Sequence, residues 1–239
     1  AAGASARRGS TTRTLATAAT NVPEALRADV LYPSDFVTNV NRGRVGLGNF
    51  DAAGELTAAE STLAAAQAGK DPFKGRTGSM ERHYLLTDAN EVMPYRVYVP
   101  TTYTDKTATP LVIALHGLGA NEDSFFDSYG KQPVALAEKH GFLMAAPLGY
   151  RVDGFYGAGA GASTDPAVRR RSALSEQDVL EVVRLMKARY KVDDSRIYLI
   201  GHSMGASAAM IYAGTEPDRV TALTLVDALG PGDSSPDDA

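Results

Sequence analysis

The chain has 239 residues, which suits one large domain or one domain with an extension. Its hydrophobic residues make up 44% and its charged residues 22%, as in ordinary soluble globular proteins. A net charge of −4 argues against nucleic-acid binding through phosphate neutralisation, and no apolar run reaches the roughly 20 residues that a membrane span needs. The lack of cysteine excludes a disulfide scaffold, a thiolate zinc site and a cysteine nucleophile.

The N-terminal third differs in composition from the rest. Residues 1–21 are rich in Ala, Thr and Ser, which predicts a disordered tail, either natural or left after removal of a signal peptide. Such a tail favours a soluble protein that is secreted or periplasmic. Residues 22–75 are predicted to form a partly helical extension, in which Thr57 and Glu60 fit a capping box for a helix over Ala58–Ala68.

From residue 76 to residue 228 the pattern alternates between strands and helices. Predicted strands are His83–Thr87, Pro94–Val99, Leu111–Leu115, Phe142–Ala146, Ile197–Ile200 and Val220–Val226. Predicted helices are Gln132–His140, one that Ser175 and Asp178 cap, and Met204–Ala213. This alternation predicts an α/β fold with a mostly parallel sheet and helices on both faces, whose functional residues gather at the carboxyl ends of the strands.

A nucleophile candidate lies between the Ile197–Ile200 strand and the following helix. The segment Gly201-His202-Ser203-Met204-Gly205 places a serine on a sharp turn, and the small residues two positions away on each side prevent clashes. The helix N-terminus favours negative charge that develops beside Ser203. The alternative is a serine that only caps the helix.

A second glycine-flanked loop follows the Leu111–Leu115 strand. In His116-Gly117-Leu118-Gly119 the backbone N–H of Leu118 could form an oxyanion hole together with that of Met204. The alternative is a simple glycine turn. We interpret His116 as a residue that orients the loop rather than as a catalytic base.

These segments, in this order, resemble the α/β-hydrolase superfamily, and most of all serine esterases such as polyhydroxybutyrate depolymerases and feruloyl esterases. The similar stretch runs from about His83 to Val226. Its pieces are Pro94–Pro100, Leu115-His116-Gly117, Ala146–Tyr150, Ser175–Val179 and Ile197–Gly205.

The resemblance implies roles for individual residues. Ser203 matches the nucleophile, and Leu118 and Met204 match the donors of the oxyanion hole. The residues that would line the substrate cleft are His116, Gly117, Tyr150, Phe155, Tyr156 and His202.

The sequence departs from this family after Ser203. The family order is serine, then acid, then histidine, but His83, His116, His140 and His202 all precede Ser203, so no residue is assigned as general base. Asp227 is a candidate for the acid, or else a surface residue. We therefore expect a sheet that lacks about two C-terminal strands, followed by a disordered acidic tail over residues 229–239. The exposed edge at residues 220–226 predicts a homodimer.

Two functions stay open. The first is a serine ester hydrolase, of the carboxylesterase or polyester depolymerase type, acting on a small-molecule or polymeric ester. The second is a catalytically impaired binding protein that lacks the general base. No cofactor is predicted, and no metal site, because the histidines lack ligand spacing. The run Arg169-Arg170-Arg171 is interpreted as a solvated face.

Overall fold

The computed structural model describes residues 15–48, 50–157, 163–215 and 222–226. The chain divides into two compact units. The first holds the chain up to Arg76 together with Arg82–Pro94, and the second holds Thr77–Glu81 and the chain from Tyr95 onward.

Two helices dominate the first unit: α1 (Glu24–Asn41) and α2 (Ala52–Gln67). They share an apolar cluster whose buried members are Leu15, Ala19, Val22, Leu26, Val30 and Ala59. Asp29 of α1 accepts hydrogen bonds from the Arg82 guanidinium at 3.0 and 3.2 Å and from the His83 backbone N–H at 2.8 Å. Burial alone would raise the pKa of Asp29, but these bonds and the charge of Arg82 outweigh it and hold the pKa below its usual value.

Residues 15–21 correct the prediction of a disordered tail over residues 1–21. Residues 15–18 are helical, a 3₁₀ turn covers Ala19–Asn21, and Leu15 and Ala19 are buried among apolar side chains. The burial of these two apolar side chains offsets the weak structural preference of an Ala- and Thr-rich stretch. Residues 1–14 and the predicted tail over residues 229–239 lie outside the described residues.

A six-stranded sheet forms the framework of the chain. Its strands are β1 (Gly78–Leu86), β2 (Glu91–Val99), β3 (Thr109–Leu115), β4 (Leu143–Pro147), β5 (Val192–His202) and β6 (Ala222–Val226), in the order β1-β2-β4-β3-β5-β6. β2 pairs with β4 antiparallel, whereas β3, β4, β5 and β6 are parallel. The predicted α/β class, with a mixed, mostly parallel sheet and helices on both faces, is confirmed.

The helices of the second unit follow the strands in alternation. They are α3 (Ser124–Asp127), α4 (Gln132–His140), α5 (Pro166–Arg189) and α6 (Met204–Thr215). The bounds of α4 agree with the prediction, because Pro133 lies in its first turn and Gly141 ends it in the left-handed conformation at φ 68°.

The starts of two helices correct the predicted caps. The N-cap of α2 is Asp51, whose carboxylate accepts from the N–H groups of Ala53 and Gly54, whereas the Thr57 hydroxyl donates to a carbonyl inside the helix. The N-cap of α5 is Asp165, ten residues before Ser175. Ser175 and Asp178 lie inside α5 and are buried, because both bind a distant loop instead of their own helix terminus.

Candidate active site

Ser203 occupies the turn between β5 and α6 in a left-handed conformation, with φ 51°. Non-glycine residues rarely adopt this conformation, and those that do concentrate at functional sites. The Ser203 carbonyl accepts from the Ser207 N–H at 3.1 Å, so Ser203 directly precedes the first residue of α6 and accepts a hydrogen bond of its first turn. Its side chain therefore stands at the N-terminus of α6, as the predicted strand–turn–helix context requires.

The two glycines around Ser203 are needed for close backbone packing. A Cβ atom on Gly201 would collide with the backbone of Gly205, and a Cβ atom on Gly205 would collide with the carbonyl group of Leu115. Side chains at these positions would push α6 away from β3 and open the turn.

The register of the sheet brings the second glycine loop beside Ser203. Leu115 of β3 pairs with Gly201 of β5, so His116–Gly119 and His202–Gly205 both follow at the carboxyl ends of the strands. A Cβ atom on Gly117 would lie 3.0 Å from Nδ1 of His202. The two backbone N–H groups predicted for the oxyanion hole, those of Leu118 and Met204, thus belong to adjoining segments.

His116 does not line a cleft, which corrects that prediction. Its side chain is 1% exposed, with Nδ1 2.8 Å from the Gly117 carbonyl and Nε2 2.7 Å from the Leu148 carbonyl. Burial lowers the pKa of His116, and the contacts to the two carbonyl groups offset this only in part. The ring therefore holds the loop, as its interpretation from sequence proposes.

Tyr156 is also withdrawn from the predicted cleft. It is 1% exposed and its hydroxyl oxygen accepts the His116 backbone N–H at 2.9 Å. Burial raises the pKa of this phenol well above its usual value, so the hydroxyl group stays protonated. Phe155 is 45% exposed and Tyr150 is half-buried beneath the Arg151 guanidinium, so these two aromatic residues are the accessible ones of the loop.

Two residues that hold this loop were missed as site residues. Asp178 accepts the Tyr150 N–H at 2.7 Å, and the Ser175 hydroxyl group donates to the Gly149 carbonyl at 2.5 Å. The pair Ser175 and Asp178 was visible in the sequence, but only as a cap signal. Polar residues three apart, within an apolar stripe of a long helix, were the available indication of a buried contact.

The four histidines lie in different surroundings. His83 belongs to the first unit, where it is buried with Nδ1 3.4 Å from a carboxylate oxygen of Asp29. His140 ends α4 just before β4, at the amino ends of the parallel strands, whereas Ser203 lies at their carboxyl ends. His202 lies against Gly117, and its ring centroid is 5.8 Å from that of Tyr129. Together with the buried His116, these placements assign no general base.

An apolar cavity of about 370 Å³ lies between α4 and the sheet. Val112, Met144 and Ile200 line it from the strands, and Leu136 from the helix. Tyr129, whose ring contacts that of His202, also lines it. Asp227, the candidate acid, lies outside the described residues.

None of the helices in the described part of the chain is long and apolar enough to cross a membrane.

Comparison with known proteins identifies the family. A family model described as the alpha/beta hydrolase fold matches residues 110–239. Feruloyl esterase B of Neurospora crassa is 27% identical over 128 residues, which are 52% of this chain and 41% of that protein. S-formylglutathione hydrolase of Rattus norvegicus is 30% identical over 148 residues, which are 55% of this chain and 50% of that protein.

Solved structures agree on the fold. An S-formylglutathione hydrolase from Agrobacterium tumefaciens matches with a TM-score of 0.50 and 21% identity, covering 64% of this chain and 59% of that one. The chain spans half or less of the length of these curated relatives. The strand order and the turn at Ser203 agree with the family model. Because that model matches more than half of the chain, the protein belongs to the α/β-hydrolase family.

Proposed function

We propose that the protein is a serine ester hydrolase with Ser203 as its nucleophile. The observation that carries this proposal is the left-handed Ser203 at the start of α6, next to the loop that follows Leu115. The curated relatives named above are an esterase and a hydrolase by name, which supports a carboxylic ester as the substrate.

The reaction follows from this geometry. The Ser203 hydroxyl oxygen attacks the ester carbonyl carbon, and its proton leaves to a base. The N–H groups of Leu118 and Met204 stabilise the negative oxygen of the tetrahedral intermediate. The alcohol departs with a proton and leaves an acyl-serine, which water hydrolyses to the free acid and the serine.

The substrate is proposed to be a small-molecule or polymeric ester. The exposed Phe155 and the half-buried Tyr150 give the loop before α5 two accessible aromatic rings. Rings at such a position suit an aromatic or polyester substrate, since they offer flat apolar contact area.

Hydrolysis of p-nitrophenyl acetate tests the proposal. We expect wild-type turnover that the Ser203→Ala variant loses, together with Ser203-dependent labelling by a fluorophosphonate probe. Ser207→Ala is the matched control: this serine lies one helical turn later on α6, where its hydroxyl oxygen is 3.5 Å from the Ser203 carbonyl oxygen, and its loss removes no group that the proposed reaction uses. Equal rates in wild type and Ser203→Ala would contradict the proposal.

The second candidate is a binding protein without turnover. It is favoured by the apolar cavity beside α4. Loss of the base in a serine triad costs on the order of 10⁶ in kcat. Background hydrolysis by the wild type, with unchanged binding of a non-hydrolysable aryl ketone to Ser203→Ala, would favour this candidate.

A further inference from the structure

We propose that Tyr156 is a positioning residue for the oxyanion hole, a role that rests on the proposed esterase function. Its hydroxyl oxygen accepts the His116 backbone N–H at 2.9 Å, two residues before the Leu118 N–H. The single phenol oxygen thereby fixes the peptide from which the proposed oxyanion loop, residues 116–119, starts.

Tyr156 is itself held rigidly. Its backbone N–H donates to the Ser175 hydroxyl oxygen at 3.0 Å, and the same hydroxyl group donates to the Gly149 carbonyl. A Cβ atom on Gly149 would lie 2.5 Å from the Tyr156 ring, so the loop closes tightly around the phenol. Tyr156 also has a left-handed backbone, with φ 50°, which only well-determined surroundings maintain.

Other contacts join the same two loops. Gly119 donates its N–H to the Val152 carbonyl at 2.9 Å, and the His116 ring contacts the Leu148 carbonyl. Because α5 anchors the loop that contains these carbonyls through Ser175 and Asp178, the oxyanion loop is braced from α5. Of the three contacts named between the two loops, the Tyr156 bond is the one that loss of a side-chain hydroxyl group removes.

The role of Tyr156 concerns the transition state. Oxyanion donors act when they are preorganised at 2.7–3.1 Å from the oxygen that gains charge. A loosened loop weakens this contact, which is much stronger in the transition state than with the neutral ester. Loss of such an interaction lowers kcat and leaves KM nearly unchanged.

The test compares Tyr156→Phe with Tyr103→Phe in the intact chain. The Tyr103 hydroxyl oxygen accepts the Lys191 N–H at 2.8 Å, so the control removes the same kind of bond at the other end of β3 and β5. For p-nitrophenyl acetate we expect Tyr156→Phe to lower kcat about tenfold at constant KM and Tyr103→Phe to leave both constants unchanged. A Tyr156→Phe enzyme with wild-type kcat, or with an effect confined to KM, would overturn the proposal.

A second measurement separates this proposal from the proposed function. Backbone amide hydrogen exchange of residues 116–119 is read in both variants without any substrate. We expect faster exchange there in Tyr156→Phe only. Unchanged exchange overturns the positioning role even if the wild type hydrolyses esters, whereas faster exchange without any Ser203-dependent hydrolysis overturns the esterase function alone. If Tyr156→Phe does not fold, Ser175→Ala, which loosens Tyr156 by removing the partner of its N–H, is held to the same outcomes.

Discussion

Ser203 shows how a single residue carries strain that the surrounding structure maintains. A left-handed backbone at a residue with a Cβ atom costs about 1–2 kcal/mol. The cost is met because β5 and α6 fix the two ends of the turn, and because Gly201 and Gly205 allow the backbones to approach. This conformation places Ser203 on the turn between the end of β5 and the N-terminus of α6.

The buried imidazole of His116 makes stability depend on pH. Its pKa is lowered in the folded protein by burial, so the unfolded chain binds the proton more readily. Stability from this group is complete above the unfolded pKa, near 6.5, and falls as the pH drops from there towards the folded pKa. Between about pH 7.5 and pH 5, we expect the free energy of unfolding to fall more for the wild type than for His116→Gln. Urea unfolding of both proteins measures this difference.

The comparison isolates one proton. The difference between the two slopes cannot exceed about 1.4 kcal/mol per pH unit. Parallel curves for wild type and His116→Gln would show that the imidazole is equally basic in the folded and unfolded chains.

For individual residues, the sequence predicted a position correctly where neighbouring residues in the chain determine the conformation. Ser203 with Gly201 and Gly205 could be predicted because the pattern states the steric requirement of its own turn. The role of Tyr156 could not be predicted, since its partner, the His116 N–H, lies 40 positions away in the chain. An aromatic residue in a glycine-rich loop gives the same pattern whether its ring is exposed or buried.

In the oxyanion loop, mutations can distinguish the contribution of a backbone N–H group from that of the side chain on the same residue. Leu118 has a side chain that is 60% exposed, whereas the proposed function uses only its backbone N–H. Leu118→Pro removes that N–H, and we expect kcat for p-nitrophenyl acetate to fall by about 10²–10³.

Leu118→Ala keeps the N–H and is the matched control. Its kcat should stay close to that of wild type, because the Leu118 side chain is mostly exposed. Circular dichroism of both variants checks that the fold is intact. If the alanine and proline variants lose activity to the same degree, the Leu118 side chain rather than its amide matters.

Whole elements were predictable where their ends carry strong local signals. α4 has Pro133 at its start and Gly141 at its end, and its bounds were predicted correctly. α5 was predicted to start near Ser175 because Ser and Asp in a helix normally indicate a cap. In the structure both residues satisfy a distant loop, and the signal Asp165-Pro166 marks the true start.

At the scale of the whole molecule, the parallel sheet followed from the alternation of strands and helices, and it confirmed the predicted class. The dimer stays a prediction. β6 lies at one end of the strand order among the described residues, and unpaired strand edges favour pairing with another chain.

Light scattering at micromolar concentrations tests the dimer. We expect the molar mass of a dimer for wild type and of a monomer for Thr224→Lys, because a lysine on an edge strand opposes edge-to-edge pairing. Val168→Lys adds the same charge on the exposed face of α5 and should remain dimeric. A wild type that is strictly monomeric would exclude pairing through β6.

The pairing of Leu115 with Gly201 also determines when the site can form during synthesis. β3 lies between β4 and β5, so its second edge has no partner until the chain has been extended by the whole length of α5 and β5. Such distant parallel pairing closes slowly and leaves an apolar strand uncovered meanwhile. The nascent chain therefore carries an aggregation-prone edge at Leu111–Leu115 until β5 and Ser203, the proposed nucleophile, have been synthesised. The pairing of β3 with β5 that brings Ser203 beside the loop after Leu115 also covers this edge.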